Sequence, residues 1–423
     1  MSDENFLSDE FLRQLINVGD VDLLVGITSY NDRDSVGNVA RAVEACLLRN
    51  FRRERIALVH VDAGSKDGTP QALLEASTLS NDRGIESLRT LRWITTRNES
   101  PPSSASALRT LLVAADLLHA KGCAVVSGAT ENATAAWIES LLGPVYRDNY
   151  DFVAPLYTRH AFDGLLTRNL LYPMCRALYG RPMRELRASE YGFSGRLAAH
   201  CLARSELQHN GLQSGAEMWM AVAAMSNAFR CCQAYLGEKP RAKSRAGVVD
   251  AIRQTVSEFF LCLESTETFW ARGVAAEPLP TVGPDHELSC EPSRVDRKKL
   301  FLMFRSGVAD LSEILKTILR PETHAELMQS AALEETAFRM SNSLWVRTIY
   351  EFAAAFHHSV LNRDHLIQAF VPIYRGSVCS FLAAHRSADA QELEADLESL
   401  CEEFVLQRDS FIEQWKTKGQ GAS

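Results

Sequence analysis

Two consecutive units, each a short apolar run that stops in polar turn residues and passes into a helix, constrain this chain more than any other feature. The first run, Val21 to Ile27, is rich in β-branched residues and reads as a buried parallel strand. It ends in Thr28-Ser29-Tyr30-Asn31-Asp32-Arg33-Asp34-Ser35, after which a helix is predicted from about Val36 to Leu48, with Val36, Val39, Val43 and Leu47 on one face. The second run, Ile56 to Asp62, ends in Ala63-Gly64-Ser65-Lys66-Asp67-Gly68-Thr69 and leads into another helix. Further strands are predicted at Leu91 to Thr95 and, after a helix from Ser104 to His119, at Cys123 to Val126. Alternation of strand and helix is the pattern of a doubly wound α/β sheet, and such sheets bind ligands beyond the carboxyl ends of their strands. Those ends are Ser29 to Asn31, Asp62 to Gly68 and Ser127 to Asn132.

The rest of the chain changes character. A helix is predicted at Asp9 to Val18, ahead of the first strand, and a strand at Phe152 to Pro155. Glu190-Tyr191-Gly192-Phe193-Ser194-Gly195 and a helix through Glu217-Met218-Trp219-Met220 follow. Beyond Gly237, helical stretches at Val249 to Trp270 and Arg297 to Leu319 flank a Pro/Gly-containing linker, Gly273 to Pro292, and helical periodicity continues almost to Trp415. The expected organisation is an N-terminal helix over 1–20, an α/β domain over 21–245 and a helical domain over 246–423, which suits a chain of 423 residues.

Composition narrows the function. A formal net charge of −8 argues against nucleic acid as a partner, because polyanion binding needs a concentrated excess of Lys and Arg. The acidic start lacks the basic and apolar regions of a signal peptide, and no apolar run approaches the length that spans a bilayer. The ten cysteines are scattered, with no metal-ligand spacing, and read as buried thiols in a reducing, cytoplasmic setting. His357, His358 and His365 read as packed or solvated helix residues, and Trp345, Tyr350, Phe352 and Phe356 as core.

The strand-terminal Asp62 suits a base N–H or a ribose hydroxyl, and Gly64 and Gly68 permit a tight turn; an Asx-type turn capping the next helix is the plainer alternative. VGITSYNDRDSVGNVARAV together with VHVDAGSKDGT resembles the nucleotide-binding half of GT-A glycosyltransferases, especially the retaining group of glucosyl-3-phosphoglycerate synthase and mannosylglycerate synthase. The likeness continues in order through Phe152-Val153-Ala154-Pro155, Arg159-His160, Asp163-Gly164, Thr167, Tyr172-Pro173, Arg176 to Gly180, Glu190 to Gly195, Glu217 to Met220 and, in the helical tail, Trp345, Tyr350, Pro372 to Gly376 and Ser380-Phe381.

The resemblance implies a GT-A fold with a mixed Rossmann-like sheet. It implies nucleotide contacts from Ser29, Tyr30, Asn31, Asp62 and Gly64, and an acceptor pocket around Arg159, Asp163, Gly164 and Thr167. Glu190, Glu217 and His160 are the catalytic candidates; a turn cap is the plainer reading of Glu190 and a solvated helix charge that of Glu217. The sequence departs from the family where the Asp-x-Asp that holds a divalent cation on the diphosphate is expected: it has Ser127-Gly128-Ala129. A metal-ligand His is replaced by Arg241 within Lys239-Pro240-Arg241-Ala242-Lys243-Ser244-Arg245, and a phosphate-side Lys by Ser104. Mg²⁺ and Mn²⁺ prefer carboxylate oxygens, so a metal cofactor is not expected, and Lys239 and Arg241 are expected to supply the positive charge a diphosphate leaving group needs. A solvated basic loop is the alternative for that stretch.

Two functions follow. The first is transfer of a hexose from a nucleoside diphosphate sugar to a small hydroxylated, glycerate-like acceptor without a metal. The second is an inactive relative that binds a nucleotide sugar or a partner protein as a regulatory or assembly subunit. Homodimerisation through the helical domain is a further expectation.

Overall fold

The computed structural model describes residues 7–81, 91–97, 104–160, 162–204, 215–239, 247–283, 296–386 and 388–417. The chain packs as two compact units that interleave in sequence. The first comprises Met1–Tyr157, Glu185–Lys243 and Leu279–His286, the second Thr158–Arg184, Ser244–Pro278 and Glu287–Ser423. This division differs from the one expected from sequence, because 158–184 clusters with the helical unit and 279–286 with the sheet.

The first unit opens with α1 (Asp9–Val18), β1 (Leu23–Ser29), α2 (Arg33–Asn50), β2 (Ile56–Asp62), α3 (Thr69–Asn81), β3 (Leu91–Arg97), α4 (Ser104–Leu117), β4 (Gly122–Ser127), α5 (Ala135–Asp148) and β5 (Phe152–Thr158). Its later part adds β6 (Tyr191–Ser194), α7 (Gly195–Leu202), α8 (Ala216–Ser226), β7 (Cys231–Glu238) and β8 (Thr281–Val282). The eight strands form one sheet in the order β3-β2-β1-β4-β6-β5-β7-β8. Strands β1 to β4 are parallel, while β6 runs antiparallel to both β4 and β5. It is therefore a mixed sheet, as the resemblance implied. The register sets Ser29 opposite Asp62 and Thr28 opposite Ser127, which lines up the carboxyl ends of β1, β2 and β4.

Why the sheet sits here follows from side-chain alternation. Val25 and Ile27 of β1, Ile56 and Leu58 of β2, and Ala124 and Val126 of β4 pack with Val36, Val39 and Val43 of α2 and with Ile138 and Leu141 of α5. Residues two apart share a face, so Ser29, His60 and Asp62 continue that face to the strand ends. Helix α2 begins at Arg33, three residues earlier than expected, because polar residues are suited to a first turn. Strand β5 continues past Pro155 to Thr158; its ladder to β6 ends at Val153, before the residue that has no N–H to give.

The second unit is helical: α6 (Tyr172–Tyr179), α9 (Val248–Ser265), α10 (Glu267–Trp270), α11 (Arg297–Asp310), α12 (Ser312–Ile318), α13 (Pro321–Ala332), α14 (Asn342–His357), α15 (Arg363–Ala384) and α16 (Ala390–Lys416), with a π-helical turn at Thr167–Leu171. One expectation needs correction. Helix α15 is long and apolar enough to cross a membrane by length and composition, with a mean hydropathy of 1.3 over its most apolar stretch. It is also 72% buried there and packs on α11, with Gly376 held against the Phe304 ring, which is the signature of a core helix. Trp345, Tyr350, Phe352 and Phe356 of α14 are core as expected, and His357 stacks on Trp415. All nine cysteines among the described residues are buried free thiols.

Candidate functional site

The loops that follow β1 and β2 are locked to each other. Asn31 N–H donates to Ser65 Oγ at 2.8 Å and Lys66 N–H donates back to Asn31 Oδ1 at 2.9 Å. Asp32 N–H donates to Thr69 Oγ1 at 2.8 Å, and Arg33 N–H to Asp67 Oδ2 at 3.1 Å. Slight burial works against ionisation of Asp67, yet bonds from the Thr69 hydroxyl and from the Arg33 and Thr69 N–H groups hold its carboxyl below the usual range. Gly64 and Gly68 sit at φ +83° and +89°, where a side chain is strained. A Cβ on Gly64 would lie 3.8 Å from the Arg97 guanidinium, and one on Gly68 3.8 Å from Arg33 Cδ. The exposed rim thus carries Arg33, Lys66 and Arg97 beside Tyr30 and Asn31.

Asp62 is the centre of this clasp and closes an Asx-type turn on Gly64 and Ser65, while Asp67 accepts the Thr69 N–H at the start of α3. Asp62 is only 2% exposed. Oδ2 accepts from Gly64 N–H at 3.0 Å and Ser65 N–H at 2.8 Å, while Oδ1 accepts the hydroxyls of Ser65 and Ser29. Four donors fill the four lone-pair positions of a carboxylate, so the oxygens expected to meet a base or ribose are spent inside the loop. Behind it, the Ser29 hydroxyl donates to Asp62 and its oxygen lies 2.8 Å from His60 Nε2, which places the His60 proton on Nε2. Burial pushes His60 down to about 4 against the opposing pull of Asp62, and among the described residues its Nδ1 has no hydrogen-bond partner.

The end of β4 is tied to β1 through its backbone. Gly128 N–H donates to Thr28 O at 2.7 Å, and the Ser35 hydroxyl donates to Gly128 O at 2.6 Å. A Cβ on Gly128 would stand 3.1 Å from Ser29 Cβ. Ser127 Oγ accepts from Ala129 N–H at 3.2 Å. Just beyond, Glu190 is buried and receives a hydroxyl on each oxygen, from Thr130 and, at 2.7 Å, from Tyr157. The Lys239 ammonium stands 5.0 Å from the centre of the Tyr157 ring and 3.8 Å from Glu185. Asn132 donates to Glu238 O, so the loop after β4 and the end of β7 are joined next to that ammonium.

These residues do not fit a divalent cation. The strand end offers one hydroxyl and no carboxylate, the Glu190 oxygens are held by hydroxyls, and Glu131 is exposed. Among the described residues no three His, Cys, Asp or Glu side chains gather as a metal ligand set.

Glu217 lies in the first turn of α8 with its carboxylate 3.9 Å from Arg187 Nε. Burial, and then the charges of Glu217, Cys201 and Glu190, push the Tyr191 hydroxyl well above its ordinary value. The remaining predicted residues belong to the helical unit. His160 Nδ1 accepts from Phe162 N–H at 3.2 Å, Asp163 N–H donates to His160 O, and the Arg159 guanidinium closes over Gly164, which sits at φ +65°. Thr167 starts the π-helical turn. Arg241, Lys243 and Arg245 lie outside the described residues, as does the 205–214 segment before Glu217. Sequence reasoning missed Thr130, Tyr157, Glu185 and His60. Tyr157 and Thr130 do follow predicted strand ends, the one signal that marked them.

No family model and no curated protein matches the chain. Among solved structures it is similar to glucosyl-3-phosphoglycerate synthase from Mycobacterium tuberculosis in complex with Mg²⁺ and uridine diphosphate, with 14% identity over 61% of this chain and 83% of that one and a TM-score of 0.44. The same enzyme in complex with phosphoglyceric acid gives 14% identity, 63% and 86% coverage, and a TM-score of 0.43. A mycobacterial protein with no stated activity gives 16% identity, 63% and 80% coverage, and a TM-score of 0.45. The synthase is a member of the group that the sequence motifs resemble.

Proposed function

We propose that the chain is a glycosyltransferase that binds a nucleoside diphosphate sugar over the carboxyl ends of β1, β2 and β4 and transfers the hexose to a small hydroxylated acceptor without a divalent ion. The observation that carries this reading is the rim itself. Two strand-terminal loops are fixed against each other beside a strand end without carboxylates, and the cations around them are Arg33, Lys66, Arg97 and Lys239, with the Asp67 carboxyl bound inside the clasp. Fixed cations aimed at a leaving diphosphate stabilise the charge that develops as the glycosidic bond breaks, the work a metal does elsewhere.

In this reading Tyr30, Asn31 and backbone groups of the second loop meet the nucleotide. Ser29, Asp62 and Gly64 shape that loop, Ser127 leaves room at the diphosphate, and Lys239 with Arg241 neutralises it. Glu190 and Glu217 are placed on the sugar side. The acceptor assignment to Arg159, His160, Asp163, Gly164 and Thr167 rests on the resemblance alone, and so does the glycerate-like character of the acceptor. The test is product formation from uridine and guanosine diphosphate sugars with a panel of hydroxylated acids in excess EDTA. Turnover under those conditions supports the proposal, and turnover only on addition of Mg²⁺ or Mn²⁺ overturns its metal-free part. Nucleotide binding without turnover across the panel points instead to a binding subunit.

A further inference from the structure

Helices α11 and α15 leave between them an open groove of about 600 Å³, walled by Lys298, Lys299, Leu302, Met303, Pro372 and Arg375. The pattern of α11 explains it. Phe301, Phe304 and Val308 take the buried face, which leaves Lys298, Leu302, Arg305 and Ala309 as an outward stripe at the same helical spacing. Leu302 is 52% exposed, and Met303 beside it also meets water. Lys298, Lys299, Arg305 and Arg375 have no ion-pair or hydrogen-bond partner for their side chains among the described residues. Two acids share this surface. Asp296 accepts Lys299 N–H at 3.0 Å and Asp310 accepts the Ser306 hydroxyl at 3.0 Å, and these neutral donors leave both charges in place. The balance is four free cations against two carboxylates, on a chain whose net charge is −8.

Helix α16 of the same unit carries the opposite pattern. Outside its buried face, Glu402, Leu406, Asp409 and Glu413 recur at intervals of four, three and four residues, which sets them on one exposed side. Leu406 is 77% exposed, with Val405 next to it also open to water. The Glu402 and Glu413 carboxylates have no partner among the described residues, and Asp409 meets only Arg408 of its own helix, at 3.5 Å. An apolar knob with an acid one turn before and after it thus matches an apolar floor with a cation one turn before and after it. At about 1.5 Å per residue, Glu402 and Asp409 stand about 6 and 4.5 Å along the axis from Leu406, and Lys298 and Arg305 stand at the same distances from Leu302. Leu406 seated on Leu302 brings each acid opposite a cation in either direction of the helix. Both faces are exposed in the single chain, so neither is covered by the other. We propose that the α11–α15 groove of one copy receives α16 of a second copy of this chain, with Leu406 on Leu302 and Met303 and with Glu402 and Asp409 paired to the groove cations. This contact does not rest on the nucleotide-sugar reading.

Sedimentation velocity of the full chain between about 1 and 100 µM tests this. The mass is expected to rise with concentration above the 47.0 kDa of one chain, and the rise to shrink as salt is raised from about 0.05 to 0.5 M. Two charge-reversed variants distinguish this contact from any other. One combines Lys298→Glu, Lys299→Glu and Arg305→Glu; the other combines Glu402→Lys and Asp409→Lys. Each alone presents one sign of charge on both faces and is expected to associate at least about tenfold more weakly. Mixed in equal amounts they are expected to recover the association, because each supplies the sign that the other's altered face now needs. Leu406→Asp, at an exposed position, is expected to weaken association as much with its thermal midpoint unchanged, which separates loss of contact from loss of fold. A chain that stays at 47.0 kDa up to about 100 µM overturns the proposal. So does self-association that survives unchanged in Leu406→Asp or in either reversed variant, or a mixture of the two that fails to recover it.

Discussion

Acid is expected to loosen the β1–β2 clasp through His60, and the size of the effect follows from its surroundings. The imidazole has no exposed surface, gives its Nε2 proton to Ser29, and has an Nδ1 with no acceptor facing it among the described residues. Protonation there would put a charge in a dry interior, so the proton that the unfolded chain takes up near 6.5 is refused by the folded one until about 4. The folded-state value lies below the unfolded one. Stability contributed by neutral His60 is thus complete above 6.5 and is lost as pH falls toward 4. At ~1.4 kcal/mol per pH unit over that window the loss approaches about 3 kcal/mol at its lower end, a sizeable part of a domain's stability. The comparison is with His60→Gln, which keeps a side-chain N–H for Ser29 but does not titrate. Hydrogen exchange of peptides from β1 and β2, measured from about pH 7 down to about pH 4, reports this part of the chain alone. The unaltered protein is expected to lose its advantage over the variant steadily as pH falls. A difference between the two that stays constant across the range refutes the reasoning.

Asp62→Asn sets an amide NH₂ or a single remaining oxygen against donors that now meet a full carboxylate, so a loss of ~3 kcal/mol in thermal or urea unfolding is expected, and equal stability would show that the carboxylate is no brace. Lys239→Gln removes the ammonium beside Tyr157 and is expected to weaken nucleoside diphosphate sugar binding at least about tenfold in calorimetry with circular dichroism unchanged; unaltered affinity removes Lys239 from the proposed site. A Cβ at Gly192 would meet Leu141 O at 2.2 Å, a backbone atom that cannot swing away, so Gly192→Ala is expected to cost ~3 kcal/mol or more in unfolding, and a silent substitution would contradict the packing of α5 on β6. The double variant Ser127→Asp, Ala129→Asp is expected to gain a Mn²⁺-dependent rise in unfolding midpoint that the unaltered chain lacks. No rise with Mn²⁺ would mean that the frame of the strand end, and not only its side chains, differs from a metal-binding one.

The sheet was legible because its strands are continuous apolar runs with polar stops. Ile56 to Asp62 is a strand over the residues expected, and β1 and β4 differ from expectation by a residue or two at their ends. The limits of α2 were less so, since Arg33 to Ser35 carry no apolar period although they form its first turn. Ser29, Asn31, Asp62 and Gly64, grouped by motif, share one hydrogen-bonded clasp, but the motif could not tell an Asp that awaits a ligand from one already saturated. That depends on where Ser29 and the Ser65 N–H and hydroxyl come to lie, a matter of three-dimensional register. Glu190 shows the same limit. Its two hydroxyl partners are 60 and 33 residues away in sequence, one in the loop after β4 and one near the end of β5. Division into units was least legible of all, because 158–184 reads as a continuation of the sheet region while its contacts lie with helices such as α16.

The closed state of Asp62 and the open state of the β4 end bear on each other. Saturating Asp62 with hydrogen bonds leaves the loop offering backbone and amide groups to a ligand, although neutral donors do not cancel a carboxylate's charge. The strand end next to it carries no carboxylate at Ser127, Gly128 or Ala129, and Gly128 holds the backbone where Ser35 and Thr28 anchor it. The lack of acids at the β4 end removes repulsion that a diphosphate bound as proposed would otherwise meet. With acids at positions 127 and 129 a cation from solution would be required to offset them, whereas without them a diphosphate bound as proposed would meet Arg33, Lys66, Arg97 and Lys239. Restoring the acids alone should therefore weaken diphosphate binding in the absence of metal. That dependence sets a charge-balanced site apart from one that has merely decayed, for which added carboxylates would make no difference.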